Sequence, residues 1–147
     1  MTTHRPRVLF VCVKNGGKSQ MAAGLLRAVA GDAVDVSSAG TRPGTALNAQ
    51  SVDALLEVGI DIRDERPRAL EPSLVAAADL VVVLGREAEV VSVDGTPVEM
   101  WDTDEPSERG IEGMERMRLV RDDIATRAQQ LLPRLTSGDA TGSQPGA

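Results

Sequence analysis

The 147-residue chain has one cysteine, no tyrosine, one phenylalanine, one tryptophan and one histidine. A lone cysteine, Cys12, excludes an intramolecular disulfide and a cysteine-based zinc cluster. No apolar run approaches the ~20 residues that a membrane helix needs. The start, Met1 to Pro6, lacks the apolar core of a signal peptide, so the expected location is the cytoplasm. Positive charge is short as well: 16 basic against 22 acidic residues give a net charge of −6. That balance argues against general nucleic-acid binding, which needs a basic face. Lysine is the scarcest cation. Lys14 and Lys18 stand against fourteen arginines, and both lie within six residues of Cys12.

What remains is an ordinary globular composition, 41% hydrophobic and 26% charged. The length suits one domain, read here as residues 1–135, with a Gly/Ser/Thr/Pro-rich tail over 136–147. His4, near the start, carries no assigned role.

Arg7 to Val13 is a continuous apolar run of the kind found in buried parallel strands. Lys14-Asn15-Gly16-Gly17 is a loop by composition. A helical pattern starts at Lys18, with Met21, Leu25 and Val29 four apart and Gly31 as its stop. A second strand is expected over Ala33 to Ser38, a helix over Asn48 to Val58 and a short helix over Pro72 to Ala78. Asp79 to Leu84 and Pro97 to Trp101 read as the third and fourth strands. A long helix runs from about Gly110 to Leu132, its apolar face made by Met117, Val120, Ile124, Ala128 and Leu131, and Pro133 is expected to end it. The segment Asp61 to Leu70 reads as irregular. Strand–helix alternation predicts an α/β fold: one three-layer domain with a four-stranded parallel sheet flanked by helices. Ligands bind such folds at the carboxyl edge of the sheet.

Cys12-Val13-Lys14-Asn15-Gly16-Gly17-Lys18-Ser19 lies at that edge. Two glycines let the backbone turn so that several amides, from Val13 to Ser19, form a nest for an anion. The following helix aims its positive end there, and Lys18 adds a full charge. This setting favours the Cys12 thiolate, to which Ser19 can donate a hydrogen bond. The segment also contains the Gly-Lys-Ser of a nucleotide-binding loop, but Cys12 stands where that loop has its first glycine. No later strand ends in a clear metal-binding aspartate.

The Cys12 to Gly24 segment, Ser38-Ala39-Gly40-Thr41, and Trp101 to Pro106 followed by Arg118 to Ile124 resemble three signatures of the arsenate reductases that share the fold of low-molecular-weight tyrosine phosphatases. The likeness covers residues 7 to 135. It implies that Cys12 attacks arsenate, and that Asp104 or Glu105, the two carboxylates before Pro106, protonates the departing oxygen. It implies further that Asn15 braces the loop against its own backbone and the Ser38-Ala39-Gly40 turn.

The departures narrow the reading. Lys18 replaces the usual arginine, and an ammonium grips oxyanions less specifically than a guanidinium fork. That weakens a phosphatase alternative more than a reductase one, because phosphoryl transfer needs equatorial oxygens clamped. Glu105-Pro106-Ser107 also replaces the phosphatase Asp-Pro-Tyr, leaving only Phe10 and Trp101 for an aromatic rim. Ala23 replaces a glutamate that helps hold a cation in some relatives, so no metal site is carried over. Reducing As(V) to As(III) consumes two electrons, hence two thiols, and this chain holds one. The second must be external. The Gly-Gly-Lys-Ser variant resembles the mycothiol-using arsenate reductases, implying mycothiol as cosubstrate, no bound cofactor and a glutaredoxin-like mycoredoxin as partner. A non-catalytic oxyanion-binding module remains a third reading. Lys14 and the charges of the last helix are read as solvated.

Overall fold

A computed structural model describes residues 5–136. Strands β1 (Arg7–Cys12), β2 (Asp35–Gly40), β3 (Leu80–Leu84) and β4 (Val98–Trp101) form one parallel sheet in the order β2-β1-β3-β4. The helices are α1 (Lys18–Ala30), α2 (Ala49–Leu56), α3 (Pro72–Ala77) and α4 (Gly113–Thr136). The expected α/β architecture is therefore present. Among the described residues, no helix is long and apolar enough to cross a membrane.

Alternation along β1 builds the layers, because successive strand residues face opposite sides. Val8 and Phe10 enter a core with Val82, Leu84, Met21, Leu26 and Leu55 and with Val120 and Ile124 of α4. Leu9 and Val11 enter a smaller one with Val81, Val83 and Val75 of α3. Both faces of β1 and β3 are thus buried, which explains their unbroken apolar runs. Phe10 and Trp101 join the larger core with ring centroids 5.6 Å apart.

Several boundaries differ from expectation. The first strand stops at Cys12, and Val13 already belongs to the loop. The second strand runs later, through Gly40, because β1 pairs it residue by residue up to Cys12 opposite Gly40; residues 31–33 form a 3-10 turn instead. Val29 is exposed, and Ala30 beside it packs against the core instead. Helix α2 is shorter than expected: Asn48 caps it by accepting the Ser51 N–H, and it closes before Gly59, whose φ of +82° suits glycine. Pro106–Arg109 forms a separate 3-10 turn, so α4 starts at Gly113. Pro133 does not end α4. A proline deletes only one backbone bond there, and Arg134 beyond it is tied to Glu99 of β4. Thr136, assigned to the tail, is the last helical residue, and 137–147 and His4 lie outside the described residues.

The arginines of α4 are also not simply solvated. Arg118 and Arg121 both grip Glu57 beyond the end of α2, and together they hold the Glu57 carboxyl at about 2, well below its usual value. A carboxyl depressed in the folded state stabilises the fold above its unfolded pKa, and that contribution fades as pH falls through the folded value. Glu57→Gln is therefore expected to lower stability near neutrality. The deficit against the unaltered protein should shrink between about pH 4.5 and pH 2, read by urea unfolding across that range. A deficit independent of pH would contradict the assignment.

Candidate active site

The loop after β1 is shaped from outside. The carbonyls of Cys12, Val13, Lys14 and Gly16 accept the N–H groups of Thr41, Arg42, Gly44 and Asn48 at 2.7–3.1 Å. In a trans peptide the N–H points opposite to the C=O. Turning these carbonyls toward residues 41–48 therefore turns the N–H groups of Val13, Lys14, Asn15 and Gly17 the other way. Asn15 N–H reports the direction, donating to Cys12 Sγ at 3.3 Å. The glycines allow the approach: a Cβ on Gly16 would lie 2.9 Å from the Ala46 carbonyl oxygen, and one on Gly40 2.6 Å from that of Val13.

Helix α1 opens straight out of this loop. Its cap, Gly17, offers no side-chain acceptor, and no acid lies in its first turn. The orphan N–H groups and the positive helix end are left for an anion. Lys18, the first helical residue, supplies the charge.

Cys12 is buried at 8% exposure. Its Sγ lies 2.9 Å from Ser19 Oγ, which accepts a hydrogen bond from Asn15 Nδ2 at 2.7 Å. While accepting from Asn15, Ser19 keeps its own proton free, and toward a Cys12 thiolate, which can only accept, Ser19 is the donor. The same Asn15 holds φ at +55°, a left-handed conformation asparagine tolerates. Its Oδ1 accepts from the Arg68 backbone N–H at 3.0 Å. The brace thus runs to Ser19 and Arg68 rather than to the Ser38-Ala39-Gly40 turn. Ser38 acts at one remove: its carbonyl accepts from Arg68 Nε at 3.1 Å. The reason is an isolated bridge pairing Gly40 with Ala69, which runs 68–70 alongside the end of β2 and within reach of Asn15. Gln20, unassigned from sequence, joins the brace by donating to the Asn15 carbonyl at 3.2 Å and the Arg66 carbonyl at 3.3 Å. Its polar character inside an apolar helix face was the available signal.

The two carboxylates part company. Glu105 forms an ion pair with Lys18 and so reaches the oxyanion loop. Asp104 is gripped by both Arg109 guanidinium nitrogens, which hold its carboxyl below the usual value. Helix α4 sets this acid loop: Asp123 accepts the Asp104 N–H at 2.9 Å, and Arg127 donates to the Asp102 carbonyl at 2.8 Å. Neither anchor was legible, because both act across 19 to 25 residues of chain. Lys14 is exposed on the loop rim. Trp101 is core, with Nε1 donating to Glu99 at 2.8 Å. Among the described residues, no group of three or more His, Cys, Asp or Glu side chains is placed to hold a metal ion.

A buried sulfur beside an amide nest, a cation at the helix start and a carboxyl from a facing loop make a site suited to an oxyanion. This chain belongs to the low molecular weight phosphotyrosine protein phosphatase family, which matches it over residues 7–140. Within that family it is 35% identical over 126 residues to the arsenate reductase of Halalkalibacterium halodurans, covering 82% of this chain and 90% of that protein. A solved arsenate reductase in a phosphate-binding state superposes with a TM-score of 0.77 at 26% identity, over 88% of this chain and 98% of that one. A thioredoxin-dependent arsenate reductase from Corynebacterium glutamicum gives 0.72 at 28% identity; it covers 97% of this chain, but only 64% of that longer one is matched.

The brace is testable by itself. Asn15→Ala strands the Arg68 N–H and forces alanine into the left-handed region, and is expected to destabilise by about 1–3 kcal/mol in urea unfolding. Asn15→Gly keeps the backbone and should recover part of the loss; no recovery would show that φ at this position carries no strain.

Proposed function

We propose that this protein is an arsenate reductase that passes arsenic to an external low-molecular-weight thiol, mycothiol, with a mycoredoxin completing the reduction. The observation that carries the reading is Cys12, seated in an oxyanion nest with no second cysteine in the chain. Arsenate lies on the amides of Val13 to Gly17 and on Lys18. Cys12 attacks arsenic, helped by the Ser19 hydroxyl, and an arsenic-bound oxygen leaves as water with a proton from Glu105. Arsenic remains As(V). The external thiol takes it from Cys12. A redoxin thiol then attacks the sulfur of that adduct, forming a mixed disulfide and releasing arsenite with the two electrons.

The aromatic residues favour this over aryl-phosphate hydrolysis. Phe10 and Trp101 are 0% and 5% exposed in the core, so neither forms a rim for a phenyl ring. Of the carboxylates, Glu105 is the acid the geometry favours, because it reaches Lys18 at the oxyanion loop while Asp104 is turned to Arg109.

Arsenate consumption should appear with mycothiol plus mycoredoxin and vanish in Cys12→Ser. Robust turnover with thioredoxin alone would refute the external-thiol route. Glu105→Gln is expected to lower turnover by about 10²-fold or more, while Asp104→Asn stays within a few fold of the unaltered protein. The reverse ranking, read from initial rates, would move the acid to Asp104.

A further inference from the structure

Two clefts meet at the Lys18–Glu105 pair, one lined by Lys18 and the other by Glu105. They differ in chemistry. In the Glu105 cleft, about 450 Å³, both cations are already paired, Arg86 with Asp102 and Arg109 with Asp104, and Glu87 and Glu108 add negative charge. The Lys18 cleft, about 360 Å³, is lined by Lys14, Gly16, Gly17, Ser51, Arg116 and Met117, among others. No carboxylate lines it.

Among the described residues, the side chains of Lys14 and Arg116 have no hydrogen-bond or ion-pair partner, and Arg116 Nε is buried without an acceptor. A buried, unanswered donor is costly unless a ligand completes it. Glu112 and Glu115 flank Arg116 in sequence but form no ion pair with it. The single Ser51 hydroxyl proton is taken within the fold, by Asn48 Oδ1 or Met117 Sδ. The free groups of the cleft are therefore cationic donors beside an apolar wall of Met117 and Val120. Its floor is the loop itself. A Cβ on Gly17 would lie 3.5 Å from Ser51 Oγ, so glycine there keeps the loop's backbone bare on the cleft side. The volume suits a small ligand.

We infer that this cleft seats the external thiol, with Arg116 and Lys14 holding its oxygen-bearing tail while its sulfur reaches arsenic on Cys12. The inference rests on the arsenate reductase reading. In the step it serves, the thiol sulfur bonds to arsenic as the Cys12–arsenic bond breaks. Cys12 leaves as a thiolate solvated by Ser19 and the Asn15 N–H. The thiol proton passes to the Glu105 carboxylate left by the first step, and no electron changes hands. Sugar hydroxyls and carboxylates both supply the acceptors such a tail needs.

The experiment compares mycothiol, mercaptosuccinate and ethanethiol, as hydroxylated, carboxylated and bare thiols, with the intact protein, Arg116→Gln, Arg116→Lys and Arg86→Gln. Arg116→Gln should raise the KM of an oxygen-bearing thiol about tenfold, with the KM for arsenate and the ethanethiol rate unmoved. Arg116→Lys should recover part of that loss and Arg86→Gln should cause none. Whichever of mycothiol and mercaptosuccinate shifts identifies the tail. A shift common to all three thiols, no shift in any, an equal shift in arsenate KM, or an equal effect of Arg86→Gln overturns the inference. Failure of the underlying reading looks different: no thiol supports turnover by the intact protein, and arsenate does not protect Cys12 from alkylation. The inference then falls with it.

Discussion

The peptide planes of residues 12–17 can face only one way, and the rest of the site follows from that. The carbonyls of Cys12, Val13, Lys14 and Gly16 are taken by N–H groups on the 41–48 segment, so the N–H groups of Val13, Lys14, Asn15 and Gly17 are left for whatever lies over Cys12. The orientation needs two backbones closer than side chains permit, which is met by glycine at 16 and at 40. It also needs a left-handed residue at 15 that is held from the side, which Asn15 supplies through Arg68 and Ser19. Sheet register then sets the height of the sulfur, since pairing Cys12 with Gly40 ends β1 where the second signature turns away.

In the free protein the Lys18 charge is answered by Glu105. On the proposed reading an oxyanion and a carboxylate share one ammonium, so that binding and acid placement are coupled through one ion pair. A lysine suits that exchange. Its ammonium is a flexible point charge that can swing between partners, whereas a guanidinium clamped in a planar fork would hold one geometry. The loop that carries Glu105 is anchored by Asp123 and Arg127, so α4 positions it while its other face fills the core.

Local pattern carried much of this into the sequence. The runs of β1 and β3 are legible because burial on both faces demands unbroken apolar residues. The loop is legible because cysteine, paired glycines, lysine and serine each answer a local need. The same locality explains the misreadings. Gly40 belongs to β2 only because of its partner strand. Pro133 stays in α4 only because residues around it have tertiary ties. The roles of Arg68, Gln20 and Asp123 are fixed by neighbours 19 to 53 residues away, and no period or spacing reports them. The α4 charges look like a solvated face until Glu57 is seen to lie against them.

The chain's poverty in cysteine constrains the site most. An internal second thiol must be brought to Cys12 by moving backbone, which demands a flexible segment near the loop. Here the surroundings are pinned instead: residues 41–48 by backbone bonds, 66–70 by Asn15, Gln20 and Gly40, and 102–104 by α4. A rigid rim is compatible with a reductant that diffuses in, because then the ligand moves and the protein need not. The unpaired Arg116 and Lys14 sit on the side where such a molecule has room to lie beside the loop. On the proposed reading, a single sulfur, a rigid rim and an unsatisfied cationic cleft meet one requirement: the second half of the chemistry arrives from outside.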